Sequence, residues 1–155
     1  MNLRAHYEQT RTSIVEGSRH VLHFAAAGSM KTLHHISTNS VLTGGEGVHP
    51  EQSVEGDSGE GLLDGYSRAK WVAERLVERA SAEGLPVTIY RPGNIGPHRQ
   101  TGYHNPSDLL TLLLSACARL KLAPAHTGGC FGLTMSRENA LTKRPGITGA
   151  AQIFV

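Results

Sequence analysis

A tyrosine and a lysine four residues apart, Tyr66 and Lys70, are the pair of side chains in this sequence best suited to acid–base chemistry. On an α-helix, residues at this spacing lie one turn apart, about 6 Å along the axis, on the same face. A nearby ammonium favours the phenolate, so the pair predicts a pKa of Tyr66 that is lowered toward the working range of a proton donor. A hydroxyl from a separate strand, such as that of Thr38, would hold a carbonyl oxygen in place for that proton.

The segment that carries Tyr66 and Lys70 has the pattern of an amphipathic helix that ends near Gly84. One broad apolar stripe consists of Ala69, Val72, Ala73, Leu76, Val77 and Ala80. The polar face opposite consists of Ser67, Arg68, Glu74, Arg75, Glu78 and Arg79. Tyr66 and Lys70 lie at the edge of the stripe, so we expect both to be half-buried. Trp71 lies on the polar side, where we expect it to pack against the loop before Tyr66 or against a missing segment rather than stack on a ligand.

Two short strands flank this helix in the sequence. Residues 85–90 predict a buried strand, followed by a loop at 91–97. The prolines of this loop restrict the backbone, and its glycines allow conformations that other residues rarely adopt. Residues 31–37 predict the other strand, which leads to Thr38, with Ser37 beside it and Ser40 shortly after. These hydroxyls have two interpretations: one of them serves the chemistry, or all of them satisfy backbone groups at a strand end.

The remaining segments predict two more helices and one long loop. Apolar residues recur at helical spacing between Asn2 and Ala27, with Gly17 as an interruption. Residues 43–65 predict a glycine-rich loop long enough to be a lid or a mobile segment. Residues 105–122 predict a leucine-rich helix capped by Asn105 or Ser107, and its leucines are expected to be buried. A surface for a carrier protein or a second chain is the alternative for this helix.

Three of these segments, taken together, resemble the extended short-chain dehydrogenase/reductases. The segments are Ser-Thr at a strand end, G-Y-S-R-A-K-W-V-A-E-R-L-V from Gly65, and G-L-P-V-T-I-Y-R-P-G-N-I-G from Gly84. Within that superfamily the chain is similar to the thioester (carboxylic acid) reductase branch. This branch includes the reductase domains that end nonribosomal peptide and polyketide synthases, and the fatty-acyl-CoA reductases. The resemblance covers residues 3–124 and implies a Rossmann-type α/β fold.

The resemblance also implies an activity, a cofactor and a set of site residues. The activity is NADPH-dependent reduction of a carrier- or CoA-bound acyl thioester to an aldehyde, or onward to an alcohol. Tyr66 would donate the proton, Lys70 would bind the nicotinamide ribose, and Thr38 would hold the substrate oxygen. The other implied cofactor-binding residues are Ser37, Pro92, Gly93, Asn94 and Ile95. The implied substrate-side residues are Thr101, Gly102 and Asn105.

A glycine-rich phosphate loop, which a nicotinamide enzyme of this class carries after its first strand, does not occur in the sequence. The glycines at 44–47 are followed by Pro50 and by no helix, and those at 128–132 follow no convincing strand. The fold class we expect is therefore a partial Rossmann-type parallel sheet flanked by helices, without the first strands and the glycine-rich loop. Residues 1–124 would be the central and C-terminal part of the reductase domain, and 125–155 a divergent tail of unknown structure. The alternatives for this tail are a further strand and helix, or a frameshifted or replaced terminus. The chain would be a fragment of a larger reductase.

Bulk composition excludes several other classes of protein. With 39% hydrophobic and 18% charged residues and a net charge of +2, the chain is neither disordered nor a nucleic-acid-binding tail. No apolar run approaches the roughly 20 residues of a membrane span, and the polar N-terminus is no signal peptide. Cys117 and Cys130 form no disulfide framework, which favours a cytoplasmic location, and the nine histidines form no metal-binding pattern.

Two rival functions stay open at this point. One is a sugar-nucleotide epimerase or dehydratase of the same superfamily, which would share Thr38, Tyr66 and Lys70 but act on a nucleotide-linked sugar. The segments around Arg91 and Trp71 favour the reductase. The other rival is a non-catalytic remnant or interaction module that keeps the middle of the fold, and the missing glycine loop supports it. The partners implied by the reductase interpretation are the acyl thioester and other domains of a multidomain synthetase.

Overall fold

The structure is a computed structural model of the 155-residue chain, and it describes residues 5–43, 49, 51–62, 64–122, 133–134 and 150–151. The glycines at 44, 45 and 47, those at 128, 129 and 132, Cys130 and most of the predicted tail lie outside these ranges. The described residues belong to two compact units. One holds those of Asn2–Pro92 and Pro145–Gln152, and the other holds those of Gly93–Arg144.

The first unit begins with a helical segment that runs from Tyr7 to Ala26. Helix α1 (Tyr7–Arg11) leads through one π-helical turn (Thr12–Glu16) into helix α2 (Gly17–Ala26). The predicted N-terminal helix is confirmed over this range, while residues 1–4 lie outside the described part. Gly17, predicted as an interruption, marks the point where the wider turn ends. Lys31 closes the C-terminus of α2, because its ammonium donates to the carbonyls of Phe24, Ala27 and Ser29.

A parallel sheet forms the centre of the first unit. Its strands are β1 (Leu33–Ile36), β2 (Val87–Tyr90) and a short strand at Ala150–Ala151, in that order. Strands β1 and β2 pair in register from Leu33 with Val87 to Ile36 with Tyr90. Helix α3 (Gly65–Ala82) connects them, so β1, α3 and β2 form the crossover unit of parallel sheets. The predicted strands, helix and α/β class are thus confirmed.

The core of this unit lies between α2, α3 and β2. It consists of Ala25, Val77, Leu85, Val87 and Ile89, with Leu22, Leu33 and Ala80 packed against it. The predicted apolar stripe of α3 is confirmed at Ala69, Ala73 and Val77, which are buried. The predicted polar face is wrong at Ser67 and Glu74, which are 4% and 0% exposed. Both can be buried because each has a polar partner: the hydroxyl of Ser67 donates to Asp64, and the carboxylate of Glu74 accepts from Arg91.

The loop before α3 packs on that helix through its described residues 51–62. Trp71 lies against Gly59, where an added Cβ would come within 3.3 Å of the indole ring. The guanidinium of Arg75 lies 5.0 Å from the centre of that ring and donates to the carbonyl of Asp57 at 3.1 Å. The prediction that Trp71 packs against this loop is confirmed.

The second unit contains two short parallel strands and one helix. Strand β3 (Asn94–Ile95) pairs with β4 (Leu133–Thr134), which makes the Ala150–Ala151 strand β5 in chain order. Helix α4 (Leu109–Leu120) begins later than predicted, because the side chain of Asp108 caps it by accepting from the amide of Thr111 at 2.9 Å. The predicted caps, Asn105 and Ser107, lie in the turn before it.

The leucines of α4 are on the surface of the second unit, as far as the structure describes it. The exposed side chains are Leu109, Leu112, Leu113, Leu114 and Leu120. The prediction that they are buried is wrong for this structure, since an apolar sequence requires a covering surface but does not supply one. No helix in the described ranges is long and apolar enough to cross a membrane.

Candidate active site

Helix α3 places Tyr66 and Lys70 in its first two turns, and two local features fix where it begins. Asp64 caps the helix by accepting from the amide of Ser67 at 2.8 Å and from its hydroxyl at 2.7 Å. Gly65 lies against the main chain of residues 5–7, where a Cβ would overlap backbone atoms. Tyr66 and Lys70 therefore stand one turn apart on one helix face, both half-buried, as predicted.

The protonation of Tyr66 differs from the prediction. Burial, and secondly the carboxylate of Asp64, raise the pKa of the Tyr66 phenol above its ordinary value. The predicted lowering by Lys70 is wrong for this arrangement, because the ammonium of Lys70 donates to the carbonyl of Ile36 at 2.8 Å. The phenol is therefore neutral and holds its proton at physiological pH.

Lys70 connects α3 to the end of β1. Burial lowers the pKa of its ammonium, and the carboxylate of Glu74 one turn later partly opposes that shift. An ammonium has three N–H donors, and the bond to Ile36 uses one of them. The other two can donate to hydroxyl groups of a bound ligand.

The two hydroxyls at the end of β1 both have partners within the protein. Ser37 is buried, its amide donates to the carbonyl of Tyr90 at 2.7 Å, and its hydroxyl donates to Glu74. The hydroxyl of Thr38 accepts from the amide of Ser40 at 3.2 Å and so caps the 3₁₀ turn Asn39–Val41. These contacts agree with the second interpretation of the strand end, and the catalytic role of Thr38 stays a prediction. The turn that Thr38 caps packs against α3.

An open pocket of about 420 Å³ lies beside Lys70. It is lined by Lys70 and residues of β1 on one side, and by Ser18, Gly17 and neighbouring residues of the first helical segment on the other. His35 lines it too, and its Nε2 atom is buried without a hydrogen-bond partner among the described residues. Burial, and secondly Lys70, lower the pKa of His35 to about 4, so its imidazole is neutral.

These groups fit the ribose side of a dinucleotide. Lys70 has donors to spare, and the unpartnered nitrogen of His35 can donate to or accept from a hydroxyl group. His35 is not among the residues predicted from the sequence, because alternation along a strand does not reveal which of two adjacent histidines is the more buried one.

Glu74 and Arg91 form a buried ion pair that was not predicted from the sequence. Arg91 directly follows β2, and it is 2% exposed. Its Nε donates to Glu74 at 2.8 Å. The neighbouring Pro92 accepts at its carbonyl from the amide of Asn39 at 3.2 Å, so it lies beside the strand end that carries Thr38. No sequence pattern identified the pair, because Glu74 has the spacing of a surface residue.

The other predicted site residues lie in the second unit, which has a pocket of its own. Asn94 and Ile95 form β3 and are exposed. Ile95, Thr101 and Asn105 line an open pocket of about 600 Å³ together with His98, Tyr103 and His104. Gly102 lies next to this pocket in the chain, with a positive φ of 67°. The hydroxyl of Thr101 pairs with Nδ1 of His98 at 2.8 Å. The first unit thus groups Ser37, Thr38, Tyr66, Lys70 and Pro92, and the second groups Asn94, Ile95, Thr101, Gly102 and Asn105, with Gly93 at its start.

Metal ligands do not cluster in the part of the chain that the structure describes: no three His, Cys, Asp or Glu side chains there come close enough to hold an ion. The reactive groups that the first unit brings near each other are the phenol of Tyr66, the ammonium of Lys70 and the hydroxyl of Thr38. Such groups move protons and orient oxygens, and they do not themselves transfer a hydride.

Comparison with known proteins identifies relatives with this arrangement of segments. The family model for an NAD-binding family described as male sterility protein matches residues 1–130. Glycine betaine reductase ATRR of Emericella nidulans is 40% identical over 131 residues, which are 83% of this chain and 10% of that protein. The non-canonical nonribosomal peptide synthetase FrzA of Cladobotryum sp is 35% identical, over 80% of this chain and 13% of its own length.

A solved structure shares the fold. It is the terminal R domain from the myxalamid PKS-NRPS biosynthetic pathway, with a TM-score of 0.78 and 40% identity, over 87% of this chain and 34% of that one. The chain thus spans about a tenth of the length of the curated relatives and a third of this domain. These matches confirm the resemblance drawn from the sequence, and the NAD-binding family supports the predicted nicotinamide cofactor.

Proposed function

The chain belongs to the male sterility protein family of NAD-binding domains, and on this premise we propose that it is the proton-donating part of an NADPH-dependent thioester reductase. Its substrate would be an acyl group bound as a thioester to a carrier protein or to CoA, reduced to the aldehyde and, in a second round, to the alcohol. The observation that carries the proposal is the pair Tyr66 and Lys70, half-buried one turn apart on α3, next to the strand end of Thr38.

In this reaction the chain's own residues handle the oxygen and the proton, while a bound nicotinamide would supply the hydride. The thioester carbonyl oxygen gains negative charge as its carbon is reduced. The hydroxyl of Thr38 would turn from Ser40 to hold that oxygen, and the phenol of Tyr66 would give it a proton. The resulting hydroxyl adduct would release the aldehyde when its C–S bond breaks, and the thiol would leave with the proton that the hydroxyl gives up. The phenol of Tyr66 is protonated before the step, as a proton donor must be, because its pKa lies well above physiological pH.

Lys70 would hold the cofactor. Its two N–H donors that are not bonded to Ile36 would bind ribose hydroxyls. Ser37, Pro92, Gly93, Asn94 and Ile95 are the other residues we assign to the cofactor. Thr101, Gly102 and Asn105 are assigned to the substrate side, and the pocket of about 600 Å³ that Thr101 and Asn105 line supports this assignment.

The preference for NADPH and for thioesters rests on the resemblance and on what the relatives are. FrzA is a nonribosomal peptide synthetase, and the solved relative is a terminal R domain of a PKS-NRPS pathway. We infer that other domains of a multidomain synthetase are the partners of this chain, and that it acts in the cytoplasm.

The first test is NADPH binding to the purified chain, followed by calorimetry and by the fluorescence of Trp71, its one tryptophan. We expect saturable binding in the micromolar range and consumption of NADPH with an acyl-CoA substrate. Tyr66→Phe should keep the binding and lose turnover by a factor of about 100 or more. Full turnover in Tyr66→Phe would contradict the assigned role of this residue.

Two other outcomes would favour the rival functions. Turnover of a UDP-sugar but not of an acyl-CoA would identify an epimerase or dehydratase. If NADPH does not bind up to millimolar concentration, Thr38, Tyr66 and Lys70 keep the arrangement of the family without a catalytic role in this chain. The chain would then be a non-catalytic remnant or an interaction module.

A further inference from the structure

We propose that Glu74 and Arg91 are positioning residues, which act with Ser37 to hold the two strand ends of the site against α3. The proposal concerns the residues next to Thr38, Lys70 and Pro92, and its functional meaning rests on the proposed reductase activity. The buried carboxylate of Glu74, on α3, joins this helix to the ends of β1 and β2.

Both carboxylate oxygens of Glu74 are engaged. Its Oε1 accepts from Nε of Arg91 at 2.8 Å and from Nη2 of the same guanidinium. Its Oε2 accepts from the hydroxyl of Ser37. Glu74, Arg91 and Ser37 are 0%, 2% and 3% exposed, so these bonds are shielded from water. Charge-assisted bonds of this kind are directional, and they fix the relative orientation of the groups they join.

Each member of this network lies next to a predicted site residue, either in the chain or one turn along the helix. Ser37 precedes Thr38 in the chain, Arg91 precedes Pro92, and Glu74 lies one turn after Lys70 on α3. The network therefore reaches the end of β1, the end of β2 and the catalytic face of α3 at once. A backbone bond from Asn39 to Pro92, at 3.2 Å, joins the same two strand ends beyond it.

A second layer supports the guanidinium. Glu78, one turn further along α3, places a carboxylate oxygen 3.8 Å from Nη2 of Arg91. Glu78 also accepts from the hydroxyl of Ser53 and the amide of Val54. The loop before α3 is thereby tied to the same network, and Arg91 has a carboxylate from each of two successive turns of the helix.

Stability alone does not require this pair. A well-packed apolar pair of similar volume is often as stable as a buried ion pair, because it avoids the desolvation of two charges. An apolar pair cannot accept the hydrogen bond from the hydroxyl of Ser37, and it cannot fix the direction of the chain at residue 91, after β2. Only the ion pair therefore holds the two strand ends in place.

The test separates placement from stability by combining three variants. Glu74→Leu with Arg91→Met replaces the pair by apolar groups and should keep the unfolding midpoint close to that of the unchanged chain. Glu74→Gln keeps the shape and one acceptor oxygen. The control is Arg79→Gln with Glu83→Gln, which removes an ion pair of 3.2 Å on the same helix whose side chains are 80% and 69% exposed.

The measurement is amide hydrogen exchange at both ends of the two strands. The amides of Ser37 and Asn39, which bond to Tyr90 and Pro92, report on the site end. The amide of Leu33, bonded to Pro86 at 2.8 Å, reports on the opposite end. We expect protection at Ser37 and Asn39 to fall about tenfold or more in the double apolar variant, with Leu33 unchanged. The surface control should change none of the three.

If the pair served stability only, the double apolar variant with an unchanged unfolding midpoint would also keep its protection at Ser37 and Asn39. That result would overturn the proposal. If the double apolar variant does not fold, the same exchange comparison is made on Glu74→Gln. Ser37→Ala removes only the hydroxyl that reaches Glu74, and we expect it too to lower protection at residues 37 and 39 while Leu33 stays unchanged.

The exchange data stand apart from the proposed function. If the unchanged chain fails to bind NADPH, the proposed reductase activity fails, while the exchange comparison still decides the role of the pair. If the chain binds NADPH, the double apolar variant should bind it about tenfold more weakly at equal stability. Equal affinity would overturn the link between the pair and the site.

Discussion

The ammonium of Lys70 lies 2.8 Å from the carbonyl oxygen of Ile36, one residue before the strand end that carries Ser37 and Thr38. This bond makes the start of α3 and the end of β1 a single structural piece. It also gives the lysine a partner that is present without a ligand, which lowers the cost of keeping an ammonium half-buried. The lysine is half-buried as predicted and lines the pocket of about 420 Å³, while its ammonium donates to a backbone oxygen rather than facing Tyr66.

Lys70→Met tests whether that ammonium binds the cofactor. The substitution keeps the length of the side chain and removes its donors, so we expect the Kd for NADPH to rise about tenfold or more, equivalent to about 1.4 kcal/mol. Lys31→Met is the matched control, because Lys31 caps the C-terminus of α2. It should lower the unfolding midpoint and leave the Kd unchanged. Equal Kd values for Lys70→Met and the unchanged chain would exclude Lys70 as a cofactor ligand.

Asp64→Asn tests the electrostatic contribution to the pKa of Tyr66. The amide side chain still caps α3, but the negative charge that disfavours the phenolate is gone. We expect the pKa of Tyr66 to fall while burial, the larger cause, keeps it above the ordinary value. Absorbance titration of tyrosinate, with Tyr66→Phe as the reference for the other three tyrosines, measures it. Asp64→Ala should in addition cost about 1 kcal/mol, because the cap is lost.

His35 makes stability depend on pH in a defined window. Burial and Lys70 lower its pKa from 6.5 to about 4, and Glu74 opposes this weakly. Between these values the unfolded chain binds the proton and the folded chain does not, so stability is lost as the pH falls through the window. The loss is at most about 3 kcal/mol. Urea unfolding at several pH values should show this slope in the unchanged chain and in His20→Gln, an exposed control, but not in His35→Phe.

Gly65 and Gly17 should respond to alanine in opposite directions. A Cβ on Gly65 would overlap the main chain of Ala5, His6 and Tyr7, so Gly65→Ala should cost about 1–3 kcal/mol and displace the start of α3. Nothing lies within 4 Å of a Cβ on Gly17 in α2, so Gly17→Ala should gain about 0.5–1 kcal/mol. Thermal unfolding measures both. A stabilised Gly65→Ala variant would mean that the N-terminal segment does not lie against α3.

Local patterns were sufficient for the elements that carry the site. Proline, glycine and β-branched residues delimit β1 and β2, and the spacing of alanine and valine identifies the buried face of α3. The same reasoning failed at Glu74, since a charged residue at a surface spacing is expected to be solvated. Its burial depends on Arg91, which lies 17 residues away in the sequence and comes close because β2 packs against α3.

The sequence by itself determined the α/β class, the family and the identity of Thr38, Tyr66 and Lys70 as candidates, because motifs and periodicity are local properties of the chain. Only the tertiary structure decided the states and partners of these groups. Burial and Asp64 set the pKa of Tyr66, Ile36 engages Lys70, and Glu74 joins Ser37 to Arg91. The reason is physical: desolvation and hydrogen bonding depend on which residues surround a group in space, and in this fold most of those residues come from other elements of the chain.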